Sequence, residues 1–411
     1  VDRRVDEDAL KLGAEFIADL GDQALDRVED EVKKAGLAGE GANAKRLYLA
    51  ITSQLLGLPV SIVVKGTSSS GKSFTVTIVL RLFPKTSYIE RTGLSPKALA
   101  YSDEDFRHRT LVLFEVEGLS DDGDYLLRSL LSEGKIAYET VESTPNGLFP
   151  RVIEKEGPTN CIMTTTRPFL HPENETRLLS IVANDSPEQT RRVLERMVTR
   201  QADRDYKAWH AAQHWLRETP AEVVIPFAKA LAQKTAPTAP RMRRDFRALL
   251  SLLKTHALLC QAARKRDSAG RIIATIDQDY VVIRELVAEV VAEGIRATVK
   301  PEVRETVEAV ACLLSERHEP VEHKGNRVTM TLCDDSPTKV SYADDDTGVS
   351  LSDLSTRLKL DRSSVSRRVK QAEGLGFLVN LENRTGRPAR LHIGEPMPED
   401  DSVFPLAEEL G

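Results

Sequence analysis

Gly66-Thr-Ser-Ser-Ser-Gly-Lys-Ser73 fits the pattern G-x-x-x-x-G-K-[ST] at every fixed position, and its flanks decide the fold. Pro59-Val-Ser-Ile-Val-Val64 is a short β-branched run that reads as a buried strand. Ser73 to Phe83 reads as a buried helix that opens on the loop. Strand, glycine loop and helix together make a phosphate-binding unit. Gly66 and Gly71 let the backbone curl, so that N–H groups along Thr67, Ser68, Ser69 and Ser70 point at a β-phosphate. The helix N-terminus adds partial positive charge. Lys72 would bridge the β- and γ-phosphates, and the Ser73 hydroxyl would hold Mg²⁺. The alternative, a Gly/Ser-rich surface turn, fits neither flank. The pattern predicts a site for a nucleoside triphosphate.

A chain of 411 residues has room for two or three domains. Its net charge of −6 excludes a general polycation, so any nucleic-acid contact must use a local patch. Cys161, Cys260, Cys312 and Cys333 are scattered without a C-x-x-C pair, which argues against a zinc site or disulfide framework and predicts a cytoplasmic protein. No stretch approaches the roughly 20 apolar residues of a membrane span, and no leader is visible, so no membrane partner is expected.

The alternation of strand and helix patterns over residues 45–185 predicts a mainly parallel α/β core. Residues 1–44 read as an N-terminal helical segment, 186–300 as a helical domain, 301–394 as a further domain, and 395–411 as a mobile acidic tail.

Hydrolysis also needs a carboxylate facing the γ-phosphate. Thr110-Leu-Val-Leu-Phe-Glu-Val-Glu-Gly118 supplies a buried strand with Glu115 at its end, placed to polarise water or orient Mg²⁺. The usual Asp-Glu pair is absent, since Val116 follows Glu115. On an extended strand Glu117 points the same way as Glu115 and can share the two roles, or it is a solvated turn residue. Asn160-Cys-Ile-Met-Thr-Thr-Thr166 is another buried strand, whose Thr165 or Thr166 can face the γ-phosphate or serve as ordinary strand residues. Arg177, in Glu175-Thr-Arg-Leu-Leu-Ser180, either stabilises a phosphoryl transition state in a neighbouring subunit or sits in a surface salt bridge. Between these strands, two β-rich runs flank Thr-Pro-Asn-Gly147 and predict a hairpin.

Near the C-terminus, Leu351 to Leu358 and Arg362 to Glu373 read as helix, turn and helix, with Asp361 as N-cap. Val365, Val369 and Ala372 face inward at helical spacing, leaving Ser364, Arg367, Arg368 and Gln371 outward. Gly376 to Leu381 and Ala389 to Ile393 form a wing around a Gly/Arg turn that includes Arg387. This winged-helix pattern places its second helix in a major groove, or else serves as a protein-binding module. Residues 350–394 hold nine basic against four acidic residues, a net +5 in an acidic chain.

The order of loop, Glu115 strand, hairpin, threonine strand and Asn174-Glu-Thr-Arg177 resembles an AAA+ ATPase of the branch with a hairpin before the sensor-1 strand. That branch includes MCM helicases and small viral replicative helicases. The chain also resembles AAA+ proteins of bacterial mobile elements described as DNA primases or primase–helicases. The resemblance implies an α/β AAA+ P-loop NTPase core with a pre-sensor-1 β-hairpin, a helical lid and a C-terminal winged-helix domain, with ATP and Mg²⁺ as ligands. It implies Thr165 as sensor 1, Arg177 as an arginine finger acting in trans, and Arg244 (or Arg243) as sensor 2 within the nucleotide site. It also implies a hexameric ring, DNA as substrate and a primase or other replication protein as partner. The hairpin tip, Thr144 to Phe149, lacks the basic residue often found there; Phe149 for stacking, with Arg151 and Lys155, are the hairpin's candidates for DNA contact. Arg362 joins the outward residues of the second C-terminal helix. The expected function is an ATP-dependent DNA helicase or translocase in mobile-element replication. The alternative is an ATP-switched DNA-binding initiator or regulator without processive unwinding, and a metabolic P-loop kinase is disfavoured by the winged helix.

Overall fold

Short apolar runs with no polar alternation demand burial on both faces, and the centre of the chain meets that demand with a parallel sheet. The computed structural model describes residues 6–95, 97–115, 121–145, 147–167, 172–199, 204–237, 240–298, 301–318, 348–382, 384, 387–394 and 403–411. In chain order the described elements begin with α1 (Glu7–Leu20), α2 (Ala24–Lys34), α3 (Gly41–Thr52), β1 (Ile62–Lys65) and α4 (Lys72–Leu80). They continue through β2 (Tyr88–Arg91), α5 (Ala98–Tyr101), β3 (Arg109–Leu113), α6 (Asp121–Glu133), the long pair β4 (Lys135–Thr144) and β5 (Gly147–Glu156), and β6 (Thr159–Thr165). Next come α7 (Pro172–Glu175), β7 (Leu179–Val182), α8 (Pro187–Met197), α9 (Lys207–Glu218), β8 (Val223–Val224), α10 (Ala228–Lys234), α11 (Met242–Leu259), β9 (Ile272–Ile273) and α12 (Val281–Thr298). The last are α13 (Pro301–His318), α14 (Leu351–Leu358), α15 (Arg362–Gly374), β10 (Leu378–Asn380) and β11 (Leu391–Ile393).

Five parallel strands run in the order β2-β3-β6-β1-β7. The strand that leads into the glycine loop is therefore interior, and β6 lies between it and the Glu115 strand. Register pairs Lys65 with Thr165 at the C-terminal end of β1, and Ile62 with Leu179 at its N-terminal end. Alternation sends Val64 into a core with Leu47, Tyr48, Val76 and Val79, and Val63 into a second core with Leu111, Leu113, Leu126 and Met163. The pair β4–β5 is antiparallel over its whole length, Lys135 opposite Glu156 and Thr144 opposite Gly147. Its Ile136 and Tyr138 pack into the second core.

The chain divides into two compact units, 1–295 with 401–411, and 296–400. Two expectations change in the first unit. The N-terminal helices are not a separate segment: α1 lies on α9, Phe16 meets Trp209 edge-on at 4.9 Å, and a Cβ on Gly13 would come within 2.3 Å of the Ala211 carbonyl oxygen. Of the tail expected over 395–411, residues 395–402 lie outside the described residues, and the described end, 403–411, is docked. Phe404 is fully buried, and its neighbour Pro405 accepts a hydrogen bond of 2.7 Å from the Tyr280 hydroxyl, so apolar residues among the acids dock the chain end.

In the second unit α13, α14 and α15 enclose Val307, Val310, Leu354, Val365, Val369 and Leu391. Ser350 caps α14 in a reciprocal box with Asp353, and Lys359 closes that helix in the left-handed conformation. Asp361 caps α15 by accepting from the Ser363 and Ser364 N–H groups at 3.0 Å each; the serine side chains, Ser363 Oγ first, hold its carboxyl well below the usual range, with the N–H groups adding to this. An antiparallel ribbon, β10–β11, follows, and Val349 bridges to Leu391 as a third short strand.

Candidate nucleotide site

The loop between β1 and α4 is shaped by three left-handed or near-extended turns that ordinary side chains resist. Gly71 caps α4 at φ 86°, Ser69 sits at φ 67°, and at Gly66 a Cβ would lie 2.7 Å from Ser70 Oγ. The result is a closed curl. Buried Lys72 folds into it, donating to the carbonyls of Gly66 at 3.0 Å and Thr67 at 2.6 Å. Among the described residues, Ser70 Oγ is buried and lacks a hydrogen-bond partner, an orphan that the oxygens of a bound phosphate would satisfy. Ser73 is the second residue of α4 and half-buried, with its backbone at the positive end of the helix. Thr67 Oγ1 donates to Asp185 at 3.2 Å, and Ala183 N–H donates to the Lys65 carbonyl at 2.8 Å, so the chain beyond β7 walls one side. Behind that wall Glu40 accepts from Asn184 N–H and Asn43 Nδ2, each at 2.7 Å; burial is the larger influence and pushes its pKa up.

Across the crevice, β3 ends at Leu113, and Glu115 follows at φ 52° with its N–H donating to Thr164 Oγ1 at 2.9 Å. A non-glycine residue held there stores on the order of 1 kcal/mol of strain, a feature common at functional sites. This corrects the expectation that Glu115 and Glu117 share one face of an extended strand: the strand is already over, and Glu117 lies outside the described residues. The residue that alternates with Val112 onto the α4 side is Phe114, an apolar group packed against that core. Thr165 stands beside Lys65 in register, and its Oγ1 accepts from Arg167 N–H at 3.1 Å. Thr164, not singled out in the sequence, is the one that holds the Glu115 backbone.

The arginines go elsewhere. Arg177 Nε donates to Ser132 Oγ at 2.7 Å, and Arg244 Nη1 donates to Thr176 Oγ1 at 2.6 Å. Both line a cavity of about 450 Å³ together with Ser61, Thr159, Leu179 and Arg247. Those lining residues lie at the N-terminal ends of β1, β6 and β7, the end of the sheet opposite the loop. Arg244 is therefore not part of the same chain's nucleotide site, because its helix begins under the wrong end of the sheet. It belongs with Arg177.

A link that sequence spacing does not reveal joins the two ends. Lys65, the last residue of β1, makes a buried ion pair with Glu175, whose Oε1 also accepts from Ser180 Oγ at 2.7 Å. Lys65 immediately precedes the loop, and Glu175 lies two residues before Arg177.

Two basic regions complete the candidates. On the hairpin Phe149 is 50% exposed, Lys155 is half-buried, and Arg151 is engaged with Glu142 at 3.2 Å. On α15 Arg362, Ser363, Arg367 and Lys370 are exposed, and Ser363, Ser366, Arg367, Lys370 and Gln371 line a shallow groove. Arg368 does not face outward: it turns to Glu305 of α13 at 2.7 Å, one position beyond the Val365–Val369 core stripe. Ser364 is half-buried in the cap of Asp361. Arg387 is exposed beside the ribbon.

A family model described as the MTBMA_p00010 P-loop domain matches residues 22–218. No curated protein matches the chain. The parallel sheet, the curled loop with its buried lysine and this match fit an α/β P-loop NTPase core, a nucleotide-binding unit. Residues Lys72 and Ser73 fit the nucleotide and its Mg²⁺; no cluster of acidic, His or Cys residues that would hold a metal by itself occurs among the described residues. No described helix is long and apolar enough to cross a membrane.

Proposed function

We propose that the chain is an ATP-driven motor on DNA, an AAA+ subunit of the MCM-like branch that works as a ring, in mobile-element replication, alongside a primase. One observation carries the ring reading: the loop with Lys72, Ser73 and Glu115 occupies one end of the sheet, while Arg177 and Arg244 occupy the other. Mg²⁺, when bound, neutralises the triphosphate and activates the γ-phosphorus. Lys72 cradles the β- and γ-oxygens, Ser73 and Glu115 orient the metal, and Glu115 takes the proton from the attacking water. Thr165 contacts the γ-phosphate region from the neighbouring strand. Arg177, with Arg244, meets the developing charge in the next subunit's site. The 296–400 unit is read as a winged helix whose α15 presents Arg362, Arg367 and Lys370 to DNA.

A second reading, an ATP-regulated DNA-binding switch, draws support from the missing Asp-Glu pair, where Val116 follows Glu115, and from the hairpin. Residues 135–156 hold three basic and four acidic residues, a poor surface for phosphates. ATPase rate with and without forked DNA separates the two, measured for wild type, Glu115→Gln and Arg177→Ala. DNA-stimulated turnover lost in both variants, and regained when the two are mixed, supports the motor. Tight ATP and DNA binding with negligible turnover in wild type overturns it in favour of the switch.

A further inference from the structure

Two exposed apolar surfaces have no role in the nucleotide site or in α15. The first is one face of the β4–β5 hairpin. Strand alternation puts Val141, Val152 and Leu148 on the face opposite to Ile136 and Tyr138, and they are 63%, 57% and 72% exposed. Glu139 and Glu154 share that face, both exposed and in no ion pair among the described residues. The second surface is the end of α8. Leu194, Met197 and Val198 are spaced i, i+3, i+4 and are 59%, 74% and 87% exposed. Arg191 lies on the same stripe with Arg192 beside it, both exposed and in no ion pair among the described residues; Glu188 and Glu195 are the acids on that flank.

These surfaces cannot meet within one chain. The hairpin rests on the core containing Val63, Leu111 and Leu113, on one face of the sheet. The opposite side of α8 is tied down by Gln189 to the Ala38 carbonyl at 2.5 Å and by Arg196 to the Lys33 carbonyl at 2.7 Å. Lys33 lies in the last turn of α2 and Ala38 follows that helix, and Val28 and Val32 of α2 belong to the core on the other face.

We propose that the hairpin face of one copy docks on the α8 stripe of the next copy, head to tail. Apolar patches of this kind on a projecting β-ribbon mark contact sites. Charge selects the pairing: hairpin against hairpin would face Glu139 and Glu154 with themselves, and α8 against α8 would face arginine with arginine. Only hairpin against α8 sets carboxylates on guanidinium groups around an apolar centre. The same carboxylates turn DNA away from this face. The contact deepens the ring reading, and rests on it for closure, because a repeated heterologous contact makes a ring where its rotation closes and an open filament where it does not.

The test is the mass of the full chain in solution with Mg²⁺ and a non-hydrolysable ATP analogue, by analytical ultracentrifugation. The hairpin variant is Val141→Glu with Val152→Glu, and the helix variant is Leu194→Glu with Met197→Glu. Wild type is expected to assemble beyond two copies. Each variant alone should need at least tenfold higher concentration to do so, with nucleotide affinity unchanged. An equimolar mixture should form a 1:1 dimer and stop there, since each partner then supplies one intact surface. Charge reversal at Glu154→Arg should be rescued by Arg191→Glu. Variants that assemble like wild type, or a folded mixture that stays monomeric, would overturn this contact and leave the ring reading standing. A wild-type chain that stays monomeric or stops at two copies would overturn both.

Discussion

Raising the pH from about 6 to about 9.5 should weaken the first unit through one buried histidine. His256 of α11 lies 2.7 Å from Asp279, whose carboxylate also receives Arg264 Nη2 at 2.9 Å and Thr275 N–H at 2.8 Å. Arg264 reaches on to Asp22 between α1 and α2, so the cluster staples the N-terminal helices to the helical domain. Burial alone would favour neutral imidazole, but the hydrogen bonds to Asp279 and Cys260 outweigh it and push the pKa from 6.5 up to about 9. A folded-state pKa above the unfolded value stabilises the fold fully below about pH 6.5, and that stability is lost as pH rises through about 9. At roughly 1.4 kcal/mol per tenfold change in proton affinity, the shift from 6.5 to about 9 corresponds to about 3 kcal/mol. Urea unfolding followed by tryptophan emission reads this unit selectively, because Trp209 and Trp215 both lie in α9. Wild type should lose about 3 kcal/mol more than His256→Gln between the two pH values. Parallel pH profiles for the two proteins would refute the charged-imidazole account.

Breaking the Lys65–Glu175 pair should leave a buried charge: Glu175→Ala is expected to lose about 3–5 kcal/mol by urea titration, and Lys65→Met with Glu175→Leu to regain most of it. If the double variant is no better than the single, the pair is not a desolvated ion pair. Glu115→Gln should lower kcat by roughly 100-fold or more while leaving ATP affinity within a factor of a few, as read by steady-state ATPase and nucleotide titration. Equal loss of both would assign Glu115 to binding. Replacing Arg367 and Lys370 with Ala should reduce the slope of log affinity against log salt for duplex DNA by about two, whereas Arg368→Ala should leave it unchanged.

What the sequence makes legible is local. The loop from Gly66 to Ser73 is contiguous, and its glycines carry their backbone requirement with them. Asp361 and the Val365–Val369–Ala372 stripe likewise lie within one helix, so their reading needs no tertiary partner. The outward face of α15 is harder, because Arg368 is one position from the core stripe and Glu305, which draws it in, is 63 residues away. Strand alternation suggested a shared face for Glu115 and Glu117; the strand instead ends at Leu113, and the hydroxyl that turns the backbone comes from Thr164 on another strand. The short β7 is hidden behind the charged Glu175–Arg177 stretch, and Lys65–Glu175 spans 110 residues. Phe404 docks although acids surround it, since burial of one aromatic ring outweighs the composition of its neighbourhood.

The polarity of the sheet turns these separate facts into one argument. Parallel strands give a sheet two unlike ends, and here the loop grows from one while Arg177 and Arg244 line the other. The four residues of β1 alone hold those ends roughly 13 Å apart. A side chain that is fixed by Ser132 at the lower end does not serve the loop at the upper end of its own chain. Any catalytic use of Arg177 therefore needs a second copy, offset along the strand direction. The buried Lys65–Glu175 pair then gains a reason beyond stability, because ion pairs of this kind contribute little net energy but specify geometry. It fixes the segment that carries the arginine to the strand that carries the loop. On the proposed ring reading, what one chain binds at its upper end would thereby be registered against the arginine end of the same chain.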